Sequence, residues 1–255
     1  MRTRQMAHLT WEEVRDAIDN DAGVILPIGA TEQHGLHLPL DTDSVLPTKM
    51  GLAVADDTNM LVAPAVCYGY RSRPGSGGGQ TFPGTTSVSA NTLMSLISDI
   101  LYEFVRSGFR RIVLLNWHME NCNFVYEAAF LVSDSLKKEY PDLKILVLEN
   151  AFDDLTQETM DKIFEGQFPT WAIEHASIFE TSLMLHVSPE TVQFDKAVDD
   201  KAERYPYYDV LPIQKDMVAP SGTLWKATMA SAEKGALGWK EVQKQITEAI
   251  KKELC

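Results

Sequence analysis

Four short apolar runs constrain the fold of this chain more than any other feature: "GVILPIG" (23–29), "MLVAPAV" (60–66), "RIVLLN" (111–116) and "KILVLE" (144–149). Each is nearly free of polar residues, the pattern of strands buried on both faces, and parallel sheets are where such strands occur. Between the runs the apolar spacing turns helical. "LTWEEVRDAID" precedes the first run, with Thr10 as N-cap and Glu13 three positions later in a capping-box pattern. "SVLPTKMGLAVADD" follows it. "SANTLMSLISDILYEFVRSGF" carries apolar residues three and four apart and ends at Gly108, and "NFVYEAAFLVSDSLKKEY" stops before Pro141. A last helix is expected over "SAEKGALGWKEVQKQITEAIKKEL". Strands alternating with helices predict an α/β fold whose mainly parallel sheet is covered on both faces. Neither a repeat nor a composition shift divides the 255 residues, so one domain over 1–255 is expected.

In such a sheet, ligands collect outside the carboxyl ends of the strands. The residues at those ends are ionisable. "TEQHGLHLPLDTD" (31–43), directly after the first run, holds Glu32, His34, His37, Asp41 and Asp43, and "NWHMENCN" at the end of the third holds His118 and Glu120. A third cluster, "WAIEHASIFET" (171–181), sets Glu174, His175 and Glu180 at or near a helix start. Charged groups leaving a core need partners, because burying them alone is costly. In extended chain, residues two apart face one side, so Glu32 pairs with His34 and His118 with Glu120. With Asp43 these make five nitrogen or oxygen ligands, more than one tetrahedral structural zinc takes. The set suits two divalent ions sharing a carboxylate, with positions open for water and substrate. The lack of cysteine ligands favours catalytic zinc or manganese. His37 and Asp41 read as supporting or surface groups, Trp171 as a pocket wall, and Cys122 as an inert buried thiol.

The stretch "YGYRSRPGSGGGQTFPGTTSVS" (68–89) is too long for a plain connection, yet it has neither the Lys-Ser/Thr ending of a phosphate loop nor dinucleotide spacing. A net charge of −13 repels phosphate backbones, so a small-molecule substrate rather than nucleic acid is the expected partner. Three cysteines, Cys67, Cys122 and Cys255, form no framework or metal spacing, which favours a reducing cytoplasm. No secretory leader and no apolar window of membrane-spanning length is expected, hence no membrane partner.

"GATEQHGLHLPLDTD", "SGGGQTFPGTTS", "NWHMEN" and "WAIEHASIFETSLML", in this order, resemble the creatininase (creatinine amidohydrolase) family from about Leu9 to near the end of the chain. The resemblance implies a three-layer α/β/α sandwich, two divalent ions (zinc, manganese or both), a homohexamer, and hydrolytic opening of a small cyclic amide, as creatinine is opened to creatine. By motif, Glu32, Asp43 and His118 correspond to the ligands of one metal, and His34, Asp43 and Glu120 to those of the other, with Asp43 bridging. Ser76, Trp171 and His175 correspond to pocket positions, His175 with Glu120 carrying the catalytic role and His175 moving the proton. Three positions depart from the family's creatinine pocket. Met119 stands where a Tyr is expected, Ala172 where an Asp is expected, and Ala151, with Phe152 one place on, where an aromatic is expected. Catalytic groups are kept and substrate contacts are not. This leaves open another C–N substrate, such as a formamide or another small cyclic compound. A non-catalytic metal- or ligand-binding protein of this fold, or a cysteine hydrolase using Cys122, are the other readings.

Overall fold

The four apolar runs form β1 (Gly23–Ile28), β2 (Met60–Val62), β3 (Arg111–Asn116) and β4 (Lys144–Leu148). The structure is a computed structural model describing residues 2–149, 152 and 154–255. All pairings are parallel and the strand order is β2-β1-β3-β4. The helices are α1 (Trp11–Asp19), α2 (Thr42–Thr58), α3 (Ala90–Ser107), α4 (Cys122–Leu136), α5 (Gln157–Phe164), α6 (Ile178–Val187) and α7 (Ala232–Leu254).

Alternation along the strands divides them between two cores. Val24, Leu26 and Ile28, with Ile112 and Leu114, pack against α1, α3 and α4. Ile25, Val113 and Leu115 face the other way, onto α2, α5, α6 and α7. Three α/β/α layers result, as the continuous apolar runs require. The expected capping box opens α1: Thr10 accepts from the Glu13 N–H at 3.3 Å, and Glu13 accepts from the Thr10 N–H at 2.7 Å.

Local differences from the sequence reading have physical causes. β2 ends at Val62, because Pro64 supplies no N–H to continue the ladder; Val66 returns only as a bridge to Ile28. α2 begins at Thr42, so Asp43 lies in a helical first turn instead of in the loop. α4 stops at Leu136, four residues before Tyr140, and α5 had no signal of its own in the sequence. Ala151 lies outside the described residues. Phe152 beside it packs its ring 4.8 Å from Trp171 and 5.9 Å from Trp117. No helix among the described residues is long and apolar enough to cross a membrane.

The chain leaves β1 toward one edge of the sheet and β3 toward the other, which opens a crevice beyond the carboxyl ends of these two central strands. Gly29 closes β1 there. A Cβ on Gly29 would stand 2.2 Å from the Asp43 carbonyl oxygen, so the strand end and the α2 N-terminus touch backbone to backbone. Gly29→Ala is therefore expected to lower stability by about 1–3 kcal/mol through overpacking, read as a lower urea midpoint. Gly75→Ala, with nothing within 4 Å of the added carbon, is the control and should leave the midpoint in place. Equal midpoints for the two variants would contradict the contact.

Candidate metal centre

The loop after β1 folds back through a Glu32 N–H bond to the Leu40 carbonyl at 3.0 Å, which returns the chain to its own start. Asp43 then sits in the first turn of α2, where the helix dipole favours a carboxylate. Glu32, His34, Asp43 and His118 are each between 1% and 4% exposed, so their charges must be met by one another or by a cation. Asp43 lies between two imidazoles: Oδ1 is 3.1 Å from His34 Nε2, and Oδ2 is 3.0 Å from His118 Nδ1. Glu32 Oε2 approaches the same His118 nitrogen at 3.3 Å, and Glu180 Oε1, from α6, approaches His34 Nε2 at 3.6 Å.

Backbone carbonyls orient both rings. His34 Nδ1 is 3.0 Å from the Glu32 carbonyl, and His118 Nε2 is 2.8 Å from the Tyr70 carbonyl. A carbonyl only accepts, so these nitrogens carry the protons and the opposite nitrogens turn their lone pairs toward the carboxylates. Asp43 Oδ2 is buried without a hydrogen bond although His118 Nδ1 is so close, an acceptor facing an acceptor. A cation resolves that arrangement. Failing one, protons must: against the opposing effect of burial, Asp43 and Glu180 hold His34 well above the ordinary imidazole range. Likewise against burial, Glu120, Asp43 and Glu32 push His118 up to about 10. Burial alone would raise the Asp43 carboxyl, but the two imidazoles outweigh it and hold it below the usual carboxylate range. Among the described residues, two groups have ligand atoms mutually within 4.8 Å: Glu32, Asp43 and His118, and His34, His175 and Glu180.

Glu120, expected beside His34 and Asp43, falls in neither group. Met119–Asn121 is a 3₁₀ turn, so the two-residue alternation of an extended chain does not hold across it. Glu120 Oε2 lies 3.5 Å from His118 Nε2, on the side of the ring away from Asp43, and its Oε1 accepts from the Ser76 hydroxyl. Glu180 stands by His34 instead. It belonged to the third cluster in the sequence, but residue spacing does not reveal that α6 aims it at the β1 loop. Glu174 serves α6 itself, accepting from the Phe179 N–H at 2.7 Å and the Glu180 N–H at 3.3 Å. Burial, with Glu180 adding, pushes its carboxyl up to about 8. Ser76, Met119, Trp171 and Ala172 line the cavity over these groups. Trp171 is fixed by ring contacts with Phe152, Phe164, Phe168 and Phe179.

Neutral amides that carried no signal in the sequence hold the site in shape. Asn121, fully buried, donates to the Gly29 carbonyl at 3.0 Å and accepts from the Tyr70 N–H at 2.8 Å. The turn after β3 is thereby fastened to the end of β1 and to the residue that orients His118. Gln33 donates to the Gly77 and Gly222 carbonyls at 2.9 and 3.1 Å and accepts from the Gly35 N–H at 2.9 Å. Both Gln33 amide protons are engaged, so His175 Nε2, 2.9 Å from the Gln33 backbone carbonyl, is the donor there. Gly77 has φ +143, and a Cβ on it would stand 2.9 Å from Glu32 Oε1 and 3.3 Å from His175 Nε2; glycine lets the loop come this close. Ser72, from the same loop, donates to Glu32 Oε1.

Burial, with Glu149 adding, pushes the Cys122 thiol up to about 12, which leaves almost no thiolate at neutral pH. Cys122→Ser is expected to keep full metal content and hydrolytic activity, and the native thiol should react with iodoacetamide far more slowly than the unfolded one. Loss of activity with metal retained would return Cys122 to the list of nucleophiles.

The creatininase family model, described as creatinine amidohydrolase, matches residues 7–250. The chain is 38% identical over 252 residues to the creatinine amidohydrolase of Pseudomonas putida, covering 97% of this chain and 96% of that one. It is 32% identical over 228 residues to the mycofactocin precursor peptide peptidase of Mycobacterium ulcerans, covering 83% and 78%. Two solved creatininases, one with Mn and one a variant of Zn-Zn type, superpose with TM-scores of 0.93 and 0.94; each is 38% identical with 99% of both chains covered. The three-layer fold and a metal-dependent hydrolase of the creatinine amidohydrolase type follow from likeness over so much of the chain. The chain belongs to the creatininase family.

Proposed function

We propose that this chain is an amidohydrolase that holds two divalent ions, zinc or manganese, and opens a small cyclic amide of the creatinine type. The observation that carries this reading is Asp43, with one carboxylate oxygen against His34 and the other against His118. Glu32, Asp43 and His118 hold one ion. His34, Asp43 and Glu180 hold the other, with Glu180 in the role first expected of Glu120. The Zn-Zn and Mn structures of the relatives support divalent metal in general.

When bound, the ions supply Lewis acidity that activates water and steadies negative charge on the amide oxygen. The chain's own groups do the rest. His175 keeps its Nε2 proton on the Gln33 carbonyl, so Nδ1 takes a proton from the attacking water and passes it to the leaving nitrogen. Water gives its oxygen to the carbonyl carbon and its protons to the products as the C–N bond breaks. Glu120, held by Ser76, forms the wall beside the reacting bond and is the second proton carrier. Trp171 and Phe152 exclude bulk water from one side. We further assign the chain to the cytoplasm as a single domain that assembles into a closed hexamer, on family likeness. Tyr126, Phe130 and Leu131, each about half exposed on α4, offer apolar surface for such contacts.

A second reading, another C–N substrate, is favoured by Met119 and Ala172, which line the cavity without the Tyr and Asp of the family's creatinine pocket. The relative named a peptide peptidase supports this reading.

Elemental analysis tests the ligand assignment. Asp43→Ala should empty both sites, Glu180→Ala should lose about one ion per chain, and Glu120→Ala should keep two. Full metal in Asp43→Ala would rule out the bridge, and loss of an ion in Glu120→Ala alone would restore Glu120 as the ligand. Each missing buried hydrogen bond costs about 1–3 kcal/mol, so creatinine turnover should be on the order of a hundredfold below that of an optimised pocket. Met119→Tyr combined with Ala172→Asp should raise kcat/KM for creatinine without changing metal content. High turnover by the unmodified protein, with no gain in the double variant, would make creatinine its own substrate.

A further inference from the structure

A cavity of about 590 Å³ adjoins the metal pocket and shares Ser76, Met119 and Glu120 with it, whereas the metal pocket itself has room for about 50 Å³. The space beside the ligands is small. Any longer arm has to enter the larger space.

The loop after β2 walls that space. Tyr70 bridges to Val88, and the backbone is still extended at Arg73. Ser72 is buried and donates to Glu32, while Arg71 and Arg73 on either side of it are exposed and line the cavity. Arg71 lies over the Tyr70 ring at 5.3 Å, and Arg73 Nη1 is 3.8 Å from Asp209. Asp209 answers only Arg73, and the other lining carboxylate, Glu120, lies at the junction with the metal pocket, which leaves Arg71 as the excess positive charge away from that junction. The inner end is lined by Glu32, Asp43, Glu120, Glu174 and Glu180. Glu120 thus stands at the junction of the two spaces and the two arginines line only the outer one, on a chain whose net charge is −13. Glu120 repels an anion from the junction between the two spaces, and the arginines attract it outward.

We propose that the outer cavity is a subsite for a carboxylate-ended arm: the substrate is an amide whose C–N bond lies at the metal ligands and whose far end carries a carboxylate held by Arg71 and Arg73. This rests on the metal pocket being the hydrolytic centre. Arginine pairs with a carboxylate through two parallel N–H bonds, and the Tyr70 ring limits the freedom of Arg71 before binding. The arm takes no part in bond making. Water still adds across the C–N bond, giving an acid and an amine.

The test compares N-acetyl-glycylglycine with its C-terminal carboxamide on the metal-loaded full chain, unmodified and as the Arg71→Gln, Arg73→Gln double variant. Metal content and thermal midpoint verify the fold of the variant. The subsite predicts that the free acid is preferred by about tenfold or more in kcat/KM, that salt weakens the preference, and that it falls to about parity in the variant. Calorimetric binding of the same two compounds reads the subsite independently of turnover. Acid-selective binding lost in the variant, without hydrolysis of any amide, would uphold the subsite and overturn the hydrolytic reading. Hydrolysis or binding with the same acid preference in both proteins, or with no preference in either, would overturn the subsite.

Discussion

Everything at the functional end of this molecule depends on one buried carboxylate, Asp43, held between two imidazoles whose lone pairs face it. Three acceptors cannot be packed against one another in a water-poor crevice unless positive charge stands among them. Protons on His34 and His118 can supply it, and so can the divalent cations proposed for the site. Because both use the same atoms, the scaffold has to hold those atoms in place with either one.

Rigidity comes from groups that carry no charge. The parallel sheet brings the ends of β1 and β3 side by side, and the close contact of Gly29 with Asp43 fixes how far α2 stands from the sheet. Asn121 ties the turn after β3 to the end of β1 and to Tyr70, so the ring of His118 is set by the same network that joins the strands. Gln33 does the equivalent work for His175, joining the glycine-rich loop to the coil around Gly222. Neutral amides suit this task because their hydrogen bonds do not alter the charge balance of the centre. Charged side chains are left for chemistry and for the mouth of the site.

Much of this was legible in the residues. Buried strands and amphipathic helices announce themselves by period, and ionisable residues at strand exits announce a site; Glu32, Asp43 and His118 do converge. Differences from the sequence pattern arise where local geometry breaks the period. Alternation predicts Glu120 beside His118, and its Oε2 does lie 3.5 Å from His118 Nε2, but the 3₁₀ turn puts it on the side of the ring away from Asp43. β2 was shortened by one proline. Glu180, Gln33 and Asn121 gain their roles only from what the tertiary fold sets against them, and no spacing rule identifies a partner some 90 or 140 residues away.

Electron paramagnetic resonance of the manganese-loaded protein reads the Asp43 bridge itself. Two Mn²⁺ ions would be exchange-coupled if they shared the Asp43 carboxylate at the roughly 3.5–4 Å typical of two-metal sites. A coupled spectrum is expected at two equivalents of metal, collapsing to the signal of isolated ions, or disappearing, in Asp43→Ala. An uncoupled six-line spectrum at every stoichiometry in the unmodified protein would contradict the bridge.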